Sequence, residues 1–564
     1  MVGGGRYFGL RGQRLNLAVT TIAGLDFALF GYDQGVMGGL LTLPSFVATF
    51  PEIDTVHDTS NYTSTIQGIS VASYNLGCFL GAIITIFIGD ILGRRRMIFL
   101  GSSIMIVGAA LQASAFSLGQ LIAGRVITGL GNGMNTSTVP TWASETSRSH
   151  KRGKMVMIEG SMITGGIALS YWLDFAFSFL DSSVSWRFPI AFQIVPAIFL
   201  LAFILELPES PRWLILKGQE AEAKSVISAL ADLPEDDHLV RTEFTEIRDT
   251  VLESANYGYR DLFTMGPERN FHRVVLAYFS QVFQQITGIN LITYYAATIF
   301  EKYIGLDGQT SRILAAANGT EYFLASFIAV WTIERVGRRD LMLWGSLGMV
   351  ASMAILAIMN YLSESHIGGS KPGVVSAVFL FAFNTFFAAG WLSIPWLYPA
   401  EIVPLKIRAP ANGLSTSANW IFNFLVVMIT PVSFNSIGYK TYIIFAVINF
   451  AMMPVIYFFY PETAYRSLEE IDTIFTKTNS WFSAVSVAKN QPLRYGKNGE
   501  LLIDYENTEE HIQRVHSIAD GRVVGEKEIG RGNGTVVHKE NTIAGEESGE
   551  SMVDPEKGHG GVIR

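Results

Sequence analysis

The sequence predicts an all-α protein that crosses a membrane twelve times, in two halves of six helices. Three observations carry that prediction. Apolar runs of about 20 residues, long enough to span a hydrocarbon core, recur along the chain. Apolar residues make up 49% of the 564 and charged residues 16%, with a mean hydropathy of +0.31; soluble domains carry about a quarter charged residues. Short polar motifs of the first half also return in the second, in the same order, about 250 residues later.

The first six spans are expected near 18–40, 68–88, 97–116, 120–140, 155–175 and 189–207. The second six are expected near 273–300, 313–333, 341–361, 374–400, 409–431 and 439–460. Arg6, Arg11 and Arg14 precede the first run. That run is long enough to span and has no convincing cleavage site, so it reads as a retained helix rather than a signal peptide. The expected organisation is a six-helix bundle over 1–207, a charged helical linker over 208–270, a second bundle over 271–460 and a tail over 461–564. The linker holds helix-like stretches such as Gln219–Asp232. Beyond about residue 520 the tail is rich in Gly, Glu, Lys and Ser and is expected to be disordered.

Positive charge sets the expected orientation. Arg94, Arg95 and Arg96 follow the second span; Arg148, Lys151, Arg152 and Lys154 the fourth; Arg335, Arg338 and Arg339 the eighth; Lys406 and Arg408 the tenth. The segment 41–67 has no Lys or Arg and carries Glu52, Asp54 and Asp58. Both termini and the linker are then cytoplasmic. The sequon at Asn61-Tyr62-Thr63 falls outside, where glycosylation of Asn61 is possible; the one at Asn533 should be silent. The motif pairs are Gly93-Arg94-Arg95 with Gly337-Arg338-Arg339, Glu145 and Arg152 with Glu401 and Arg408 at identical spacing, and Pro208-Glu209-Ser210 with Pro461-Glu462-Thr463. An even number of helices between copies gives a parallel repeat, with a site between two rocking halves.

The net charge of −8 is shared with an acidic tail and says little about partners. No basic block points to nucleic acid. The single cysteine, Cys78, excludes an intrachain disulfide and a multi-cysteine metal site. With no metal-ligand cluster, phosphate-binding loop or nucleophile–base pair, the chain reads as a non-enzyme without cofactor or metal.

The most telling polar segment is Gln284-Gln285-Ile286-Thr287-Gly288-Ile289-Asn290, inside the seventh span. Amides are costly in hydrocarbon unless partnered or lining a wet cavity. On a helix, Gln285 and Asn290 fall near one face with Gln284 beside them. Amides in that pattern suit a hydroxyl-rich ligand, a sugar or similar polyol; interhelical hydrogen bonding is the alternative.

Ordered motifs resemble the sugar porter branch of the major facilitator superfamily, and most nearly the fungal hexose and monosaccharide–proton symporters. They are Gly31-Tyr32-Asp33, Gly89-Asp90 through Arg95, Gly124-Arg125, Pro208-Glu209-Ser210-Pro211-Arg212, Gln284 through Tyr295, Glu334-Arg335-Val336-Gly337-Arg338-Arg339, Ile394-Pro395-Trp396 and Pro461-Glu462-Thr463. The resemblance covers roughly 15–475 and implies the major facilitator fold, a monomer in the plasma membrane, and uptake of a hexose or pentose by alternating access.

It implies sugar contacts from Gln284, Gln285, Asn290, Trp396 and Asn419. An indole offers a flat apolar face to a sugar ring and one N–H donor, although Trp396 alone would serve equally as a lipid-interface anchor. Phe30 matches an aromatic used against the sugar, with core packing nearly as good an account. Tyr294 and Tyr295 match the outer gate, and Pro395 and Pro399 are expected to bend the tenth helix. Gly160 stands where the family usually has a Gln, and Tyr322 where an Asn is common. Their neighbours Glu159 and Glu321 are left without an assigned role; Glu159 has three readings open: substrate contact, pairing with Arg125, or a helix end.

Asp33 and Arg125 lie inside spans, where charges are functional by default. The resemblance pairs them and implies proton coupling: protonation of Asp33 weakens its pairing with Arg125 and raises sugar affinity. A static pair, and hence a facilitator, is the alternative. A second alternative is a nontransporting glucose receptor, which the long tail keeps open. Asp90, Arg94, Arg95, Glu145, Arg152, Glu209, Arg212, Glu334, Arg338, Arg339, Glu401, Arg408 and Glu462 are expected to form salt bridges that lock the cytoplasmic side.

Overall fold

The computed structural model describes residues 6–492 except 57, 59, 147–151, 255–258, 370, 405–406 and 467. Helices α1–α6 span Gly12–Leu40, Asn61–Leu92, Arg94–Ala113, Leu118–Thr146, Arg152–Phe177 and Val184–Ile204. Helix α7 comes in two pieces, Asn270–Ile286 and Ile289–Thr298. Helices α8 and α9 span Gly308–Val336 and Arg338–Glu364. Helix α10 is also in two pieces, Lys371–Gly390 and Ile394–Ile402, and α11 and α12 span Arg408–Ile437 and Lys440–Phe459. Between α6 and α7 lie the helices Pro211–Leu216, Glu220–Ala231 and His238–Ser254.

Ten of these twelve, all but α4 and α7, are long and apolar enough to cross a membrane by length and composition. The two that fall short are those into which the sequence places Arg125 and the amide run. Most helices extend several residues past the expected spans, because an α-helix continues into the interfacial layer where its polar ends find water. The tail's first part is ordered: helices Leu468–Thr476 and Ser483–Asn490 pack under the second half. There Arg273 pairs with Asp472, and His272 lies against Trp481 at 4.3 Å. The expected disorder after about 520, and the Asn533 sequon, lie outside the described residues, as do Arg148, Lys151 and Lys406; Arg152 and Lys154 are described in their backbone only.

The halves meet along α2 against α11 and α5 against α8. Side-chain hydrogen bonds between halves gather toward the 41–67 loop. Tyr171 donates to the Thr293 carbonyl at 2.7 Å, Tyr294 to Asn75 Oδ1 at 3.0 Å, Arg312 to the Thr42 carbonyl at 3.1 Å, and Lys302 to the Thr55 carbonyl. Asn61, exposed at the start of α2, accepts from Asn435 at 3.0 Å.

The opposite face carries the two arginine turns, built alike. Gly93 and Gly337 join α2 to α3 and α8 to α9 with φ of 83° and 96°, a backbone that side chains rarely adopt. Each lets a following helix N-terminus meet a carboxylate, which suits that end of the helix dipole. Glu209 accepts from the Arg94 and Arg95 backbone N–H groups at 3.1 and 3.2 Å, and Glu462 from those of Arg338 and Arg339, both at 2.9 Å. A Cβ on Gly337 would stand 2.5 Å from Glu462 Oε2, against 3.0 Å from Glu209 Oε2 for Gly93. Both substitutions carry the backbone penalty, so Gly93→Ala and Gly337→Ala are each expected to lose about 1–3 kcal/mol and to melt several degrees lower in a fluorescence thermal scan, with Gly337→Ala the lower of the two.

Candidate functional site

Two helix breaks build the centre. Gly288, at φ 102°, separates the pieces of α7. The break in α10 falls at Trp391-Leu392-Ser393, one turn upstream of Pro395, which sits in the first turn of the second piece and offers no N–H to the Trp391 carbonyl four residues back, as Pro399 offers none to that of Pro395. The carbonyls freed by the break and by the two prolines are taken by amides of α7. Gln284 Nε2 donates to the Trp391 and Leu392 carbonyls at 2.8 and 2.7 Å, and Gln281 Nε2 to the Pro395 carbonyl at 2.8 Å. Trp391 Nε1 ties the segment to Ser346 Oγ at 3.0 Å.

The amides form one buried chain. Asn419 Nδ2 donates to Gln281 Oε1 at 2.6 Å and to Gln284 Oε1 at 2.9 Å. Gln285 Nε2 donates to Gln284 Oε1 at 3.1 Å, and Asn290 Nδ2 to Gln285 Oε1 at 2.6 Å, across the Gly288 break. Gln285 and Asn290 thus meet although no continuous helix joins them. Gln284 has filled its hydrogen-bonding capacity: two donated, two accepted. Gln285 and Asn290 have capacity to spare.

Aromatic and orphaned polar groups face this chain from both halves. Phe30 lies edge-on to Trp420 at 5.1 Å, and Tyr74 at 6.2 Å. Trp420 Nε1, the Tyr74 hydroxyl, Asn75 Nδ2 and both amide atoms of Asn423 are buried without partners, a pattern that in folded proteins marks a place for water or ligand. Trp396 is half-buried on the second piece of α10. Tyr295 donates to the Val427 carbonyl at 2.9 Å. Gln281, Tyr74, Asn75, Trp420 and Asn423 were not singled out from sequence. Gln281 precedes Gln284 by one turn and Trp420 directly follows Asn419, so the signal was present as spacing.

Asp33 and Arg125 are fully buried yet form no ion pair among the described residues. Neither Asp33 oxygen meets a partner in good hydrogen-bond geometry, although the Tyr74 hydroxyl and the Arg125 charge both act on the carboxylate. Arg125 donates to the Val71 carbonyl at 3.0 Å and stands over the Tyr74 ring, 5.3 Å from its centroid. Glu159 likewise makes no ion pair with Arg125. Tyr322 is buried with its ring 6.1 Å from Phe387. Its neighbour Glu321 accepts from Thr385 in a groove of about 580 Å³ with Trp172 and Thr320, away from the amide chain.

On the arginine face the ion pairs seen among the described residues join groups of one half. Arg94 pairs with Asp90 at 2.9 Å and Glu145 at 3.1 Å, and Arg95 with Glu209 at 3.7 Å. Arg338 pairs with Glu334 at 3.0 Å and Glu401 at 2.8 Å. Arg339 donates to the Tyr457 carbonyl at 2.8 Å, and Arg408 to the Val403 carbonyl at 3.1 Å. Arg212, half-buried on Pro211–Leu216, makes no ion pair among the described residues.

The family described as sugar (and other) transporter matches residues 18–475. The sugar transporter STL1 of Saccharomyces cerevisiae is 42% identical over 478 residues, covering 84% of this chain and 83% of that one. High-affinity glucose transporter 1 of Candida albicans is 31% identical over 509 residues, covering 84% and 89%. Among solved structures, the proton:xylose symporter XylE bound to 6-bromo-6-deoxy-D-glucose superposes with a TM-score of 0.68 at 23% identity, over 82% of this chain and 99% of that one, a likeness of fold. This chain belongs to the sugar (and other) transporter family of the major facilitator superfamily.

Proposed function

We propose that this protein carries a monosaccharide into the cell across the plasma membrane, as a monomer with both termini cytoplasmic, by alternating access and in symport with protons. The observation that carries the reading is the buried amide chain of α7 and α11 facing orphaned donors of both halves, Asn75 from α2 and Trp420 from α11. Hydroxyls of a sugar can satisfy both sets at once, so its binding draws the halves together. The names of the relatives, a sugar transporter and a glucose transporter, support that substrate class.

The arrangement fits an inward-facing or occluded step. Hydrogen bonds between halves hold the loop face shut, while the ion pairs of the arginine face seen among the described residues tie together helices of one half. An ionised buried carboxylate without a donor is costly by several kcal/mol; binding a proton removes that charge. Asp33 released from Arg125 is thus the loaded form, and its deprotonation on the cytoplasmic side restores attraction to Arg125.

Uptake of labelled glucose into proteoliposomes, with and without an inward proton gradient, tests the proposal. Uphill accumulation that requires the gradient is expected. Equilibration without accumulation identifies a facilitator. Failure of glucose and of other monosaccharides to enter overturns transport in favour of a receptor.

A further inference from the structure

Gly160 sits in the interior of α5, where glycine weakens a helix relative to alanine. Its φ is not in the left-handed region, so the backbone does not require glycine there. Space does. A Cβ on Gly160 would stand 2.0 Å from Ser393 Oγ, 3.1 Å from Ser393 Cβ and 3.7 Å from Leu392 Cγ. Both Gly160 and Ser393 are buried. Gly160 belongs to the first half and Ser393 to the α10 break of the second, so the contact crosses the seam between the halves.

The Ser393 side of this contact is held from behind. The carbonyls of the two residues before it, Trp391 and Leu392, accept from Gln284 Nε2 at 2.8 and 2.7 Å, and Trp391 Nε1 donates to Ser346 Oγ at 3.0 Å. The Ser393 carbonyl accepts from the Trp396 and Leu397 N–H groups, both at 3.2 Å. The serine hydroxyl can turn to another rotamer, but its Cβ stays where the backbone puts it. Further along α5 the seam continues toward the loop face. A Cβ on Gly165 would meet the Phe323 ring at 3.1 Å, Tyr171 donates to the Thr293 carbonyl at 2.7 Å, and Trp172 Nε1 to Thr320 Oγ at 2.7 Å. Of these contacts, that of Gly160 lies nearest the arginine face, about 16 Å from Tyr171 along the helix.

We propose that Gly160 is a positioning residue: a bare seat on α5 against which the α10 break closes the site toward the arginine face. Gln284 fixes the break and also accepts from Gln285. The amides that face the ligand therefore set where Ser393 stands on this seat. A side chain at 160 pushes the break away from α5 and holds the seam ajar. The part this plays in transport rests on the alternating-access reading; the closure itself does not.

Spin labels at two exposed positions of the arginine face, Arg96→Cys in the first half and Arg335→Cys in the second, test the seat by double electron–electron resonance in lipid nanodiscs. The buried Cys78 is removed as Cys78→Ser. Gly160→Ala is expected to shift the distance distribution toward longer values. Adding Ser393→Gly is expected to shift it back, since only Leu392 Cγ at 3.7 Å, an ordinary contact, then faces the new Cβ. Alanine favours a helix interior over glycine, so the shift cannot come from a weakened α5. An unchanged distribution in Gly160→Ala, or a shift that Ser393→Gly does not reverse, overturns the proposal. Should Gly160→Ala fail to fold, folding regained with Ser393→Gly supports the seat, and folding lost in both overturns it. The transport reading fails separately. A reversible shift in a protein that admits no sugar leaves the seat standing without a transport role; sugar uptake with an unchanged distribution removes the seat alone.

Discussion

Asp33→Asn is expected to abolish uphill sugar accumulation while leaving sugar equilibration in place. Each pH unit across the membrane is worth about 1.4 kcal/mol, a tenfold concentration ratio when one proton moves with one sugar. An inward gradient of about two units thus supports roughly 100-fold accumulation by the parent protein and about one-fold by the variant. The reason lies in the geometry. Asp33 is buried with both oxygens unbonded and Arg125 is held by the Val71 carbonyl and the Tyr74 ring. Asparagine reproduces the shape and neutrality of the protonated acid, so the halves can still rock. What it cannot do is lose a proton and draw Arg125 back, and without that step proton and sugar gradients are no longer exchanged. The measurement is the ratio of internal to external labelled glucose with and without the gradient, alongside exchange of sugar between equal pools. Retained accumulation places coupling elsewhere.

The twelve spans were legible because hydrocarbon thickness fixes helix length, and residues such as Arg94 and Arg338 sat where charge had to leave the bilayer. The twin carboxylates Glu209 and Glu462 were visible as a repeat. What sequence could not give is which polar groups use up one another. Helical spacing put Gln285 and Asn290 on a common face, yet they meet across a break at Gly288. The α10 prolines signalled a bend, and Pro395 leaves the Trp391 carbonyl free, but nothing along the chain says that Gln284 reaches it. Asp26 drew no reading from sequence, and nothing along the chain says that Asn135 lies beside it. These are facts of packing between helices distant in sequence, where local periodicity is silent.

That difference separates two neighbouring glutamines that sequence treats as equals. Gln284→Ala strips the donors from the Trp391 and Leu392 carbonyls and an acceptor from both Asn419 and Gln285. A buried polar group left unpaired costs about 1–3 kcal/mol, and several are orphaned together, so this variant is expected to lose thermal stability and transport at once. Gln285→Ala removes a side chain with an N–H to spare, whose main partners are Gln284 and Asn290. It should melt within a few degrees of the parent yet bind sugar about 10- to 100-fold more weakly, the effect of losing one or two ligand hydrogen bonds at about 1.4 kcal/mol per tenfold. Thermal melts with and without sugar, with the Km for uptake, check both. If both variants lose affinity equally and neither loses stability, Gln284 also contacts sugar, and the α10 break must be held by Gln281 and Trp391 alone.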